Sequence, residues 1–191
     1  MKTKRKFWRY IAAAAAVTVL SGQIAIAGPA DNYFSDGLEK HQQRRLDEAI
    51  RLYSKAIDAN PYYTMAYQMR AIAQQQMKQY AQAISDFTMV ISSNDPLFKV
   101  VGYYNRGVLK NMTGDYAGAI PDFTQAIEID HRMASAFFHR GIAKSKIGDL
   151  AGRLEDFREA SRLGDVNAEK WLNTYYPGWR EMQLAPVPVP R

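Results

Sequence analysis

From residue 30 onward the chain alternates apolar and polar positions with the three- and four-residue spacing of amphipathic helices, and the pattern returns at a nearly fixed distance. Units counted from Ala30, Thr64, Val100 and Ala134 are spaced by 34, 36 and 34 residues. Their fourth place is aromatic (Tyr33, Tyr67, Tyr103, Phe137) and their eighth is small (Gly37, Ala71, Gly107, Gly141). The twentieth holds Ala49, Ala83 and Ala119, then Arg153. An aromatic returns at the twenty-fourth (Tyr53, Phe87, Phe123, Phe157) and a small or β-branched residue at the twenty-seventh (Ala56, Val90, Ala126, Ala160). Small residues let two helix axes approach, and aromatics fill the space where they diverge. Gly114-Asp115 and Gly148-Asp149 set a helix stop before an N-cap, and Pro61 stands where a second helix can no longer continue. Each unit therefore reads as a pair of helices: 30–63, 64–99, 100–133 and 134–167, in a domain spanning 28–167. The two extra residues fall in an Asn94-Asp95-Pro96-Leu97 link, and Pro121 predicts a kink in the second helix of the third unit.

These columns resemble the tetratricopeptide repeat family, and YNRGVLKNMTGDYAGAIPDFTQAIEID (104–130) is nearly a consensus unit. The resemblance covers residues 30–167 and implies an all-α, right-handed superhelix of four helix-turn-helix units whose first helices line a concave side where ligands bind. Local departures are Lys40, Gln74, Lys110 and Lys144 in place of the tyrosine common at the eleventh place, and Arg153, which requires a partly open edge. Beyond the fourth unit, Ala168, Trp171, Leu172 and Tyr175 share one stripe, predicting a capping helix over 168–177 with Pro177-Gly178 as its stop. Residues 178–191, with Pro186, Pro188 and Pro190 alternating, predict an extended, flexible tail.

Three Arg–carboxylate combinations recur at the seventh and twenty-third places: Arg70 with Asp86, Arg106 with Asp122, and Arg140 with Asp156. Any one alone could pass for a catalytic pair. Recurrence in three units reads instead as a structural link between paired helices. The first unit has Asp36 and Leu52 at those places.

Charge changes the picture only until the N-terminus is considered. The 191 residues hold 25 Lys+Arg against 19 Asp+Glu, a net of +6, which by itself points to nucleic acid or an anionic surface. Five of those bases, Lys2, Lys4, Arg5, Lys6 and Arg9, precede a short apolar run, Ile11 to Leu20, and a small-x-small site at Ala25 and Ala27. That is the pattern of a signal peptide, residues 1–27, cleaved after Ala27, since a spanning helix needs about 20 mainly apolar residues. Without it the chain has 20 bases against 19 acids, so nucleic-acid binding loses its support and a periplasmic or secreted location is expected. Membrane attachment follows only if the segment is retained.

Catalytic chemistry finds no foothold in the pattern. Cysteine is absent, no glycine-rich phosphate loop occurs, and His41, His131 and His139 lie in different units and columns. No enzyme activity, cofactor or metal is expected. The second, fifth, ninth and twelfth places of the first helices share a stripe, to which the sixth adds Met69, Asn105 and His139. The candidate peptide-binding residues are accordingly Phe34, Leu38, Met65, Gln68, Met69, Ile72, Tyr104, Asn105, Val108, Phe138, His139 and Ile142. The aliphatic ninth place (Leu38, Ile72, Val108, Ile142) reads equally as core between units. No Lys or Arg occupies the second, fifth, sixth or ninth place, so the carboxylate clamp of some family members is not expected. The reading is a protein-binding adaptor of the cell envelope with an apolar groove. The alternatives are a self-assembling subunit using the same stripe, or a membrane-tethered scaffold.

Overall fold

The computed structural model describes residues 28–180, among which there are nine helices and no strand. In order they are α1 (Pro29–Gln42), α2 (Leu46–Ala59), α3 (Thr64–Gln76), α4 (Tyr80–Ile91), α5 (Pro96–Thr113), α6 (Tyr116–Ile129), α7 (Ala134–Lys146), α8 (Leu150–Arg162) and α9 (Val166–Tyr175). The expected signal segment and its Ala25/Ala27 cleavage site lie outside the described residues, as do residues 181–191 of the expected tail. None of the described helices is long and apolar enough to cross a membrane.

Each helix packs mainly on its neighbours in sequence, the order expected of a solenoid of stacked pairs. The first helices also touch one another, α1 with α3, α3 with α5 and α5 with α7, whereas the second helices make no comparable approach. The first helices are thus the inner row of the stack and the second helices the outer.

The columns become contacts. A Cβ added at Gly37 would come within 2.7 Å of the Tyr53 ring, at Gly107 within 2.9 Å of Phe123, and at Gly141 within 2.7 Å of Phe157. The eighth place is small because the twenty-fourth-place ring of the same pair lies flat against it. Those rings are core: Tyr53, Phe87 and Phe123 expose no surface, and neither do the small residues beside them, Ala49, Ala56, Ala83, Ala119 and Ala126.

The same turn joins the two helices of every pair. In each, the N–H at the sixteenth place bonds to the carbonyl at the eleventh, as in Arg45→Lys40, Gln79→Gln74, Asp115→Lys110 and Asp149→Lys144, while the fifteenth residue takes positive φ. This is the Schellman closure, which suits glycine. Gly114 and Gly148 supply it in the last two pairs, but Arg44 (φ 64°) and Lys78 (φ 61°) are forced into it in the first two. Asp115 and Asp149 then cap α6 and α8 by accepting from Gly118 and Gly152 N–H, whereas Arg45 and Gln79 offer no side-chain cap to α2 and α4.

Three expectations need revision. Asn94–Leu97 is not a mere link: the Asp95 side chain caps by accepting from Leu97 N–H, Pro96 sits at the first helical position, and α5 is extended N-terminally to 18 residues. Its start therefore precedes the expected boundary at 99/100. The capping helix is Val166–Tyr175 rather than 168–177, because the Asp165 side chain accepts from Asn167 and Ala168 N–H. The segment after the Pro177-Gly178 stop does not leave the fold at once. Trp179 is buried against Leu172 and Ala168, and its Nε1–H donates to Asn173 Oδ1 at 2.9 Å. Helix α6 runs through the exposed Pro121.

Candidate protein-binding groove

The stripe is assembled by the inner row α1, α3, α5 and α7, and burial divides its residues. Phe34 and Met69 are core: Phe34 packs on Tyr53 and Tyr63, with ring centroids 5.8 and 5.0 Å away, and neither residue exposes a tenth of its surface. As groove contacts these two are corrected, since a partner reaches neither without opening the first two pairs. Leu38, Met65 and Ile72 are half-buried against the same core, Tyr104 and Val108 against that of α6 and α7, and Phe138 and Ile142 against that of α8 and α9. The ninth-place aliphatics line the seams between pairs and keep one flank outward. Gln68 is half-buried on α3. Asn105 turns back on its own helix, donating to the Val101 carbonyl at 2.8 Å.

His139 sits among rings. It stacks on Phe123 at 6.0 Å and meets the edges of Tyr104 and Phe138 at 5.9 and 5.6 Å. Burial pushes its pKa below the ordinary 6.5, against a weaker opposing pull from Asp165. Burial likewise raises the Tyr104 hydroxyl above its usual 10.0. The centre of the groove is thus an uncharged aromatic floor at neutral pH. His41, at the far end of the stripe, is also buried, its Nδ1 3.3 Å from the Tyr53 hydroxyl and its Nε2 3.0 Å from Gln76 Nε2. Its pKa is lowered by burial and by Arg44.

The recurring ion pairs form the wall behind the groove. Arg70, Arg106 and Arg140 each donate through Nε and Nη2 to both carboxylate oxygens of Asp86, Asp122 and Asp156, at 2.6 to 3.0 Å. The fork joins the two helices of a pair. Each Arg also reaches back through Nη1 to a hydroxyl of the preceding pair: Ser54 (2.9 Å), Thr88 (3.0 Å) and Thr124 (3.0 Å). Each hydroxyl spends its own proton on the carbonyl four residues earlier, so its oxygen is free to accept. One guanidinium therefore ties three helices together. That hydroxyl column is the twenty-fifth place, where Ser54, Thr88 and Thr124 recur one pair ahead of the arginines they serve. Two eleventh-place lysines belong to the same network, with Lys110 Nζ 2.8 Å from Asp122 Oδ2 and Lys144 Nζ 3.0 Å from Asp156 Oδ2. Asp86 has no such second cation because Gln74 stands there.

Among the described residues no group of three or more His, Asp or Glu is placed to hold a metal ion. The arrangement offers a shaped, largely apolar surface.

Comparison with known proteins supports the fold and one unit of it directly. The family model described as "Tetratricopeptide repeat" matches residues 101–131. No curated protein sequence matches the chain. Among solved structures, residues 41 to the end of MamA from Desulfovibrio magneticus RS-1 superpose with a TM-score of 0.70 at 16% identity, covering 83% of this chain and 92% of that one. A further MamA crystal structure gives 0.65 at 18% identity, covering 76% and 81%. A tetratricopeptide repeat protein from Parabacteroides merdae gives 0.67 at 15%, covering 74% and 57%. Identities this low speak for fold alone. A tetratricopeptide repeat unit is thus matched at residues 101–131, and the chain shares the all-α solenoid fold of these solved structures.

Proposed function

We propose that this chain is a non-catalytic adaptor that holds a segment of a partner protein along the inner row of helices, and that it works in the cell envelope after export. The observation that carries the groove reading is the uncharged, half-exposed stripe of Met65, Gln68, Ile72, Tyr104 and Val108 on helices that face one another across the inner side. Apolar and aromatic groups held at partial exposure contribute about 25 cal/mol per Å² when a partner covers them. The two half-buried aromatics, Tyr104 and Phe138, are the natural anchors. Export is supported by the basic and apolar pattern of residues 1–27.

The double variant Met65→Glu/Tyr104→Glu tests the groove. It places two charges on the stripe and leaves the buried Phe34 untouched. Affinity capture from envelope extract should lose the partners retained by the wild-type protein, while circular dichroism shows the helices intact. A folded variant that captures the same partners refutes the groove. Mass spectrometry of the native N-terminus tests export: the expected first residue is Gly28, and an intact Met1 would overturn cleavage.

A further inference from the structure

Position 153 departs furthest from the repeat. In the three preceding pairs the twentieth place is an alanine with no exposed surface, whereas α8 carries Arg153 there. The guanidinium lies over the Trp171 ring of α9, 4.5 Å from its centroid, and Nη1 donates to Ser145 Oγ at 3.1 Å. Its Nε–H is shut off from solvent and has no acceptor. A cavity of about 310 Å³ opens beside it between α7, α8 and α9. Phe138, Ile142, Phe157 and Trp171 give the cavity apolar walls, and Arg153 and Lys146 stand in its lining as cations.

Charge is what distinguishes this corner. The part-buried arginines of the recurring forks, Arg70, Arg106 and Arg140, each have a carboxylate within 3 Å. Among the described residues no carboxylate lies within ion-pair distance of Arg153 or Lys146. A guanidinium partly removed from water without a counter-charge is costly, and an incoming carboxylate would relieve that cost with a charge-assisted bond.

The geometry points to a specificity pocket at the C-terminal end of the groove: it takes one aromatic or large aliphatic side chain whose neighbouring carboxylate meets Arg153 and Lys146. The occupant is an acidic, apolar segment of a partner protein. This rests on the groove reading, since Phe138 and Ile142 are the last members of the stripe. Residues 181–191 of the chain itself fit less well, carrying one acidic side chain, Glu181, and a basic Arg191 around an alternating Pro-Val run.

The probe is an N-acetylated, C-amidated heptapeptide with a central phenylalanine flanked by aspartates. Two controls replace the aspartates by lysines or the phenylalanine by alanine, and all three are titrated calorimetrically into the full chain. The acidic aromatic peptide should bind at least about tenfold more tightly than either control, and its affinity should fall as salt rises. Arg153→Ala should weaken it about tenfold while the melting curve is kept, since alanine is what the other three pairs hold. Lys146→Glu, at an exposed site, should weaken it several-fold with no demand on folding. Equal affinity for the three peptides, or full binding by both variants, overturns the pocket. A gain in affinity when Pro186, Pro188 and Pro190 become serine would assign the pocket to the chain's own segment, and an affinity that drops as protein concentration rises would assign it to a second copy. Either result overturns the proposal. Met65 and Tyr104, the groove test positions, lie outside the pocket, so the two readings fail separately.

Discussion

Thr124→Val isolates the bond that links one helix pair to the next. Valine keeps the volume and branching of threonine and leaves no cavity, so the change removes one acceptor 3.0 Å from Arg140 Nη1 and little else. A hydrogen bond to a charged group contributes about 1.5–3 kcal/mol when well shielded. The Arg140 side chain keeps 16% of its surface in contact with water, which can partly replace the lost hydroxyl, so the lower end applies. The threonine also gives up its bond to the Ile120 carbonyl, but that carbonyl lies within α6 and the local bond is a weak competitor of the helix. The expected loss is about 1–1.5 kcal/mol. With a urea dependence of about 2 kcal/mol per molar, the midpoint drops by roughly 0.5 M. Urea is the right denaturant because a salt would screen the fork itself. A double-mutant cycle with Arg140→Met should return a coupling of about 1 kcal/mol. The bond crosses between pairs, so its loss should also broaden the transition. A stability change below about 0.3 kcal/mol, with no coupling in the cycle, would refute the staple as a stabilising contact.

Other expectations follow from single contacts. Gly107→Ala drives a methyl to 2.9 Å from the fully buried Phe123 ring and should cost about 1–3 kcal/mol in the same assay, whereas Ala71 tolerates its methyl beside Phe87. At the turns, Gly114 sits at φ 87° in open space, so Gly114→Ala tests backbone strain alone and should destabilise by about 1 kcal/mol, while Lys78→Gly should not destabilise at all. His41 and His139 have folded-state pKa values below 6.5, so the unfolded chain binds protons first. Stability is therefore full above pH 6.5 and declines as pH falls through that value toward the folded pKa values. Urea midpoints at pH 7.5 and 5.0 should show this fall, and a His41→Gln/His139→Gln variant should show less of it. Trp179→Ala should loosen α9, read as lower thermal stability by about 3 kcal/mol or more.

The helix pairs were legible because every packing column repeats: a glycine under a ring is hard to overlook when Gly37, Gly107 and Gly141 all precede their aromatic by sixteen residues. The start of α5 was hidden by the same habit of counting. Asp95-Pro96 carries a clear cap-and-first-turn signal, but a strict period makes those residues look surplus. Phe34 and Met69 were misplaced for a different reason. Helical spacing ranks positions around one helix, whereas their burial is set by Tyr53 and Tyr63 from neighbouring elements. The arginine forks could be seen from their carboxylates alone; the hydroxyl column behind them could not be assigned until the preceding pair stood alongside. Trp179 was lost in a segment judged by its prolines.

The arginine ladder has a direction, since each rung reaches from one pair to the hydroxyl of the pair before it. Its ends are closed by substitution: Asp36 and Leu52 stand where the first rung would begin, and Arg158 occupies the place where the last pair would offer a hydroxyl. A duplicated copy of an interior pair would arrive with both its arginine and its hydroxyl, and would join neighbours on either side without further change. A copy added at either end would find no matching partner. Lengthening of such a protein by duplication is therefore chemically permitted from the middle and obstructed at the termini.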